Sequence, residues 1–177
     1  MQWIEQGKSL LGLREIAGGQ HSPKLQAMLA DMGKYSKESK AWWKDDETPW
    51  CGLFVGWCLG ESGRFVIKNW FRASAWNDEN AMTKLAKPCY GCIVTFTRQG
   101  GGHVGFVVGE DKQGNLMVLG GNQNNQVSIA PFARERVSGF YFPSKWENGQ
   151  CVKSRPDESR FALPKLASNG KLSTHEA

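Results

Sequence analysis

One stretch of the sequence, residues 48–60, places a cysteine where it could act as a nucleophile. It reads TPWCGLFVGWCLG and has the pattern of a capped apolar helix, with Thr48 as the candidate N-cap and Pro49 at the first helical position. Cys51 then falls in the first turn, where free backbone N–H groups and the helix dipole favour a thiolate. The alternative is a small buried hydrophobe, a role that fits Cys58 better. Without a base, this stretch leaves both interpretations open.

A cysteine hydrolase needs a base beside the sulfur, and His103 is the best candidate among the three histidines. It begins a predicted strand directly after the glycine run 100–102, which lets another backbone or a substrate approach closely. His21 lies in a glycine-rich turn and His175 in the C-terminal segment, so neither lies on a predicted core element. Taken alone, His103 fits a structural histidine at a strand end; taken together with Cys51, it fits a catalytic base.

We expect the residue that orients His103 at the end of the next predicted strand. With a period of two, Asn122 shares a face with Leu116, Val118 and Gly120, if no bulge intervenes. A neighbouring strand would put its amide where it accepts a hydrogen bond from an imidazole N–H. A plain turn is the rival interpretation, which Gly-Gly-Asn also favours. Gln123 is the weaker alternative, because it lies one residue out of phase.

The elements that must position these residues fall into a helical half and a strand half. Apolar residues at helical spacing predict packing helices within residues 2–12 and after Ser22, and a short helix is expected after Asn77 or Asp78. From Gly91 onward a period of two predicts five short strands, at residues 92–98, 103–109, 115–119, 127–132 and 137–142. Tight turns between them imply an antiparallel sheet. The sequence therefore predicts an α+β fold with helices packed on one face of the sheet.

Length and composition limit the organisation of the chain and its compartment. A chain of 177 residues suits one well-buried domain, which we expect over residues 1–143, followed by a polar, partly mobile C-terminal tail over residues 144–177. Five cysteines exclude a complete internal disulfide framework, and the N-terminus does not resemble a signal peptide, so we expect synthesis in a reducing cytoplasm. No apolar run is long enough to span a membrane. The net charge of +5 suits nucleic acid, a phospholipid surface or a bacterial cell wall.

Two further motifs could carry chemistry, and we interpret both as structural. The run Cys89-Tyr90-Gly91-Cys92 could be a redox pair or half a zinc site, but it leads into a strand and no second pair of ligands follows. The acidic run 45–47 could be half a calcium site, but it lacks alternating oxygen ligands, and a solvated loop before a helix fits it better. We therefore expect neither a metal nor another cofactor.

Four motifs together resemble the NlpC/P60 and CHAP superfamily of papain-like peptidoglycan hydrolases, most of all its compact single-domain branch in phages and prophages. They lie at residues 48–55, 91–96, 102–108 and 120–123. The resemblance implies a papain-like fold and hydrolysis of an amide bond in the peptide stem of the bacterial wall. It makes Cys51 the nucleophile, His103 the general base and later acid, and Asn122 the residue that holds the imidazole. An acidic residue is common in the family where Cys92 stands here.

The resemblance also implies a substrate groove and a target outside the cytoplasm. We expect substrate contacts from Trp43, Trp50, Trp76, Gly102 and Gln123, with bacterial peptidoglycan and not nucleic acid as the partner of a monomer. The absence of a signal peptide fits an endolysin released by a holin, or an injected toxin with an immunity protein, acting on the wall in the periplasm. A wall-binding module without catalysis, and a cysteine hydrolase with a different substrate, are the alternatives.

Overall fold

The computed structural model describes residues 1–16, 21–36, 48–98 and 101–174. The α-helices of these residues are α1 (Gln2–Ser9), α2 (Pro23–Met32) and α3 (Cys51–Glu61). The strands are β1 (Thr83–Leu85), β2 (Ile93–Arg98), β3 (Gly101–Glu110), β4 (Leu116–Gly120), β5 (Ser128–Phe132), β6 (Val137–Phe142), β7 (Lys145–Glu147) and β8 (Gln150–Val152). Helices precede an antiparallel sheet, and the predicted α+β class is confirmed.

Helix α3 is the central element of the core. Its residues from Cys51 to Leu59 are all buried, because the sequence is apolar on every side of the helix. Two glycines let neighbours approach its backbone: a Cβ at Gly52 would lie 2.3 Å from the Trp70 carbonyl oxygen, and one at Gly56 would lie 2.7 Å from Met32 Cε. Helix α2 and the segment around Trp70 therefore pack directly against α3.

The start of α3 differs from the prediction. Trp50, not Thr48, is the N-cap, and the first helical hydrogen bond joins the Phe54 N–H to the Trp50 carbonyl at 3.0 Å. Trp50 has φ of −115° and ψ of 18°, outside the helical range, and its indole donates to Glu15 Oε2 at 3.0 Å. Cys51 is consequently the first residue of α3, and it still lies in the first turn.

The main sheet has six strands in the order β1-β6-β2-β3-β4-β5, one more than the five predicted. The five expected strands are present, with ends within two residues of the prediction. The additional strand β1 pairs with β6, in the region where a helix was expected. Asp78 does accept hydrogen bonds from the Asn80 and Ala81 N–H groups, as a helix cap would, but only a turn follows. A strand of three residues at the sheet edge is too short to show a period of two.

The C-terminal segment, predicted as a polar tail, contains regular structure over its described residues. Strands β7 and β8 form an antiparallel hairpin. Backbone hydrogen bonds then join the segment to the domain at three places: Tyr90 N–H to Arg160 O at 2.8 Å, Leu166 N–H to Glu110 O at 2.9 Å, and Ser173 N–H to Pro131 O at 2.8 Å. The boundary at residue 143 stays a prediction. None of the described helices has the length and apolar character that a membrane span requires.

Candidate active site

Strand β3 holds His103 in an aromatic setting. The residue pairs with Phe96 of β2, and only 1% of its surface is exposed. The imidazole lies parallel to the Phe132 ring, with 5.3 Å between ring centroids and 3° between planes, and the Phe96 ring follows at 6.1 Å. The plane of the imidazole is therefore fixed by ring contacts as well as by the strand.

A hydrogen bond between His103 Nε2 and Gln123 Oε1, 3.2 Å long, fixes the ring further. The Gln123 amide nitrogen donates to the Ser128 carbonyl at 2.8 Å, to Ser128 Oγ at 3.0 Å and to the Val118 carbonyl at 3.2 Å. Because the amide nitrogen faces these acceptors, the amide oxygen is the atom that faces His103. An amide oxygen only accepts hydrogen bonds, so this network assigns the proton of the neutral imidazole to Nε2. The basic lone pair is then on Nδ1.

The loop after β4 returns Gln123 to the histidine. Asn124 and Asn125 both have left-handed backbone conformations, with φ of 53° and 60°, and the Gln123 N–H donates to the Gln126 carbonyl at 2.9 Å. Two left-handed residues in a two-residue loop are typical of a type I′ hairpin turn. A Cβ at Gly120 would lie 2.5 Å from Gln123 Oε1 and 3.1 Å from His103 Nε2. Glycine at this position therefore leaves room for the hydrogen-bonded pair.

Asn122, the predicted orienting residue, is fully buried and has a φ of 58°. Strand β4 ends at Gly120, so the alternation of faces does not continue to residue 122. Its catalytic role stays a prediction, whereas the structure brings the neighbouring Gln123 to the imidazole.

The start of α3 and the His103 region are joined through glycines on two sides. On one side, a Cβ at Gly121 would lie 2.6 Å from Phe54 Cβ and 2.7 Å from the Trp50 ring, directly after the glycine that faces His103. On the other side, Gly52 packs against the Trp70–Phe71 backbone, while Gly102 lies near Ala73, 3.6 Å from its Cβ. The element that carries Cys51 and the strand that carries His103 thus pack against the same two segments, the residues around Trp70 and the loop after β4.

A comparison with known protein families identifies this region. Residues 43–122 match the family model of the CHAP domain. This part of the chain is similar to the CHAP domain. The resemblance to the CHAP and NlpC/P60 superfamily, predicted from the four motifs, is thereby confirmed over these residues, and the match indicates a cell-wall hydrolase of the amidase or peptidase type. No curated protein and no solved structure matched the chain significantly.

The tryptophans predicted to contact substrate occupy the core of the domain where they are described. Trp50 and Trp76 have no exposed surface, and the Trp76 indole donates to the Trp70 carbonyl at 2.9 Å. Neither ring therefore offers a face to a ligand, because packing around α3 covers both. Trp43 lies outside the described residues. Gly102 is half-buried on β3, and Gln123 holds the imidazole.

The other cysteines of the predicted domain are buried and free of disulfides. Burial raises the pKa of the Cys58 thiol well above its ordinary value. The Cys89 N–H lies 3.4 Å from Cys92 Sγ. A hydrogen bond from Cys92 lowers the pKa of Cys89, and burial raises the pKa of Cys92. Among the described residues, no group of three His, Cys, Asp or Glu side chains could hold a metal ion.

Two contributors to the site were missed in the sequence, and one of them had a partial signal. Ser128 fixes the amide of Gln123, and it pairs with Gly120 across the β4–β5 hairpin. The pair Asn124-Asn125 indicates a two-residue hairpin loop, but such a loop would pair Gly120 with Ile129, one residue away from the observed register. Phe132, which stacks on His103, carries no local signal, because a phenylalanine in a strand is typical of any core.

Proposed function

We propose that this CHAP-like domain hydrolyses an amide bond in the peptide stem of the bacterial wall through a thioester on Cys51. The observation that carries this proposal is the fixed imidazole of His103, whose Nε2 is bonded to Gln123 Oε1 at 3.2 Å. A neutral histidine held in one tautomer, with a basic Nδ1, is what a cysteine nucleophile needs as its partner. The CHAP match supplies the substrate class.

In the first half of the reaction, His103 Nδ1 takes the proton from Cys51 Sγ, and the thiolate attacks the carbonyl carbon of the scissile amide. The backbone N–H of Cys51, at the first position of α3 and at the positive end of the helix dipole, would stabilise the oxyanion. The C–N bond then breaks, and the imidazolium gives its proton to the leaving amine. A thioester on Cys51 remains.

In the second half, the same imidazole takes a proton from water, and the hydroxide attacks the thioester carbon. The C–S bond breaks, and the carboxylic acid product leaves while Cys51 recovers its proton. His103 acts first as base and then as acid in each half, so its orientation affects both.

For the orienting role we propose Gln123, and Asn122 is the alternative from the sequence. Gln123 is supported by its contact with Nε2 and by the acceptors that fix its own amide nitrogen. It would act as a positioning residue, since it touches the imidazole and not the substrate.

Mass spectrometry of fragments released from purified peptidoglycan tests the proposed function. The wild type should release soluble fragments, Cys51→Ala should release none, and Cys58→Ala, on the same helix, should act as the wild type does. Fragment masses would distinguish a cut between D-glutamate and the third stem residue from a cut between muramic acid and L-alanine. A folded wild type that releases nothing, or an active Cys51→Ala, would overturn the proposal.

A further inference from the structure

The end of α3 opposite Cys51 borders a cavity of about 300 Å³ with a mainly basic lining. Four of its charged side chains are basic and one is acidic: Arg64, Lys145, Arg155, Arg160 and Asp157. We call it the basic pocket. Four positive charges against one negative charge give the lining a net charge of +3, in a chain whose total is +5. Glu147, which is not part of the lining, pairs with Lys145 Nζ at 3.3 Å and offsets one of these charges.

Two guanidinium groups of the basic pocket have N–H donors without an acceptor among the described residues. Arg64 lies over the Trp3 ring at 4.5 Å, and both of its hydrogen bonds leave from Nη1, to the Pro143 carbonyl and Ser154 Oγ at 3.4 Å. A guanidinium has five N–H donors, so most of those of Arg64 have no acceptor among the described residues. Arg155 is exposed and forms no ion pair or hydrogen bond within the described part of the chain.

Burial disfavours the positive charge of Arg64. Burial lowers the pKa of Arg64 from its ordinary value, and the positive charge of Arg160 adds to this, whereas Glu147 opposes it. The one acid of the lining, Asp157, lies 3.5 Å from Arg160 Nε and is itself largely exposed. A bound anion would offset the cost of burying the Arg64 charge and would accept the remaining N–H groups.

We propose that the basic pocket binds a phosphate group carried by a sugar or polyol phosphate of the bacterial envelope. A guanidinium group can donate two parallel hydrogen bonds to two phosphate oxygens. As the ligand of several arginines, a phosphate is therefore better suited than a single carboxylate. The hydroxyls of Ser62 and Ser154 line the same cavity and could contact the polyol. The phosphate chemistry follows from the pocket itself, and only the choice of an envelope polymer rests on the proposed function.

The position of the basic pocket fits an attachment site that leaves the active site open. Helix α3 is 11 residues long, so its two ends lie about 16 Å apart at 1.5 Å per residue. Much of the pocket comes from the C-terminal segment, which supplies Lys145, Ser154, Arg155, Asp157 and Arg160. The segment predicted as a tail would thus hold the enzyme on the wall while the Cys51 end acts on the stem.

Isothermal titration calorimetry of the full chain with sn-glycerol 3-phosphate tests the phosphate site, and it does not depend on catalysis. Wild type should bind saturably, and Arg155→Gln and Arg64→Gln should each raise Kd by about tenfold. Lys112→Gln, which removes an equal charge from the exposed β3–β4 turn, should leave Kd within about twofold of the wild-type value. Arg155 is exposed, so its variant keeps the test valid if Arg64→Gln fails to fold.

Absence of saturable binding, or an equal loss of affinity in Lys112→Gln, would overturn the phosphate site. The source of the phosphate is tested by sedimenting the protein with purified walls before and after acid extraction of their phosphate polymers. Retention should fall on extraction for the wild type and should be low throughout for Arg155→Gln. Binding to phosphatidylglycerol vesicles that requires Arg155, together with equal retention by both wall preparations, would overturn the envelope-polymer assignment in favour of a lipid phosphate.

Discussion

The two ends of helix α3 are built in opposite ways. At the Cys51 end the helix is apolar and buried, and glycines leave room for closely packed neighbours, among them one hydrogen-bonded imidazole. At the Arg64 end the chain leaves the helix through Gly63, whose φ is 64°, into a cavity of charged side chains with long hydrogen bonds. Bond breaking requires atoms fixed in position, whereas anion binding requires charge density and tolerates loose geometry. The contrast predicts that small changes matter most at the Cys51 end.

The largest effect is expected for the nucleophile. Cys51→Ala should lower the rate of fragment release by at least about 10³-fold, because no other group can form the thioester. Cys58→Ala is the matched control, since Cys58 is buried on the same helix and its raised pKa keeps it a thiol. This control should retain its rate within about twofold and lose some thermal stability. Equal rates for the two variants would remove the distinction between the two cysteines.

Loss of the base should lower the rate nearly as much as loss of the nucleophile. His103→Ala should lower the rate by about 10³-fold or more, because neither Cys51 nor the leaving amine could exchange a proton with the protein. Circular dichroism should show that the variant is folded, since His103→Ala also removes a ring stacked on Phe132. A folded variant with nearly full activity would show that the imidazole is structural.

The positioning residue should have an intermediate effect. Gln123→Ala should lower kcat about 10- to 100-fold with little change in KM, because the imidazole loses its orientation and not its chemistry. Gln123→Glu should keep the hydrogen bond and raise the pKa assigned to His103 in the pH–rate profile, since a carboxylate favours the imidazolium.

The same measurements on Asn122→Ala separate the two candidates for the orienting role. If Asn122→Ala lowers kcat and Gln123→Ala does not, the assignment from the sequence is restored. If Gln123→Glu leaves the pH profile unchanged, the contact between Gln123 and His103 has no influence on the base.

The smallest effects compare glycines at the two ends of α3. Gly121→Ala should lower the free energy of unfolding by about 1–3 kcal/mol, because its Cβ would lie 2.6 Å from Phe54 Cβ. A Cβ at Gly63 would meet nothing within 4 Å, so Gly63→Ala should cost only about 1 kcal/mol, from its left-handed backbone. Urea unfolding measures both values. A larger loss for Gly63→Ala would contradict the contrast in packing.

The residue types and their spacing were enough to predict the Cys51 helix, the His103 strand and the α+β class. These features are local, because a capped apolar run and a period of two are properties of a few consecutive residues. The same locality explains the assignment of the orienting role to Asn122. Alternation along β4 was extended past Gly120, whereas the chain turns there through left-handed asparagines, so the role of Asn122 stays a prediction that the strand period does not support.

The features that could not be predicted depend on contacts between distant segments. Tryptophan is a residue type that often lines a substrate groove. Only the packing around α3 shows that the rings of Trp50 and Trp76 are covered. The C-terminal segment is polar and lacks periodicity, so its backbone hydrogen bonds to Tyr90 and Glu110 left no pattern in the sequence. The basic pocket has the same origin, since Arg64 and Arg160 are adjacent only in the folded chain.

Alkylation of the native protein by iodoacetamide at mildly acidic pH, followed by peptide mapping, tests the central claim most directly. Burial raises the pKa of Cys58 and Cys92, so neither should react under these conditions. Cys51 should react rapidly in the wild type, because the helix start and His103 favour its thiolate, and much more slowly in His103→Ala. An equal rate at Cys51 in both proteins would show that His103 does not activate the cysteine, and would contradict the account.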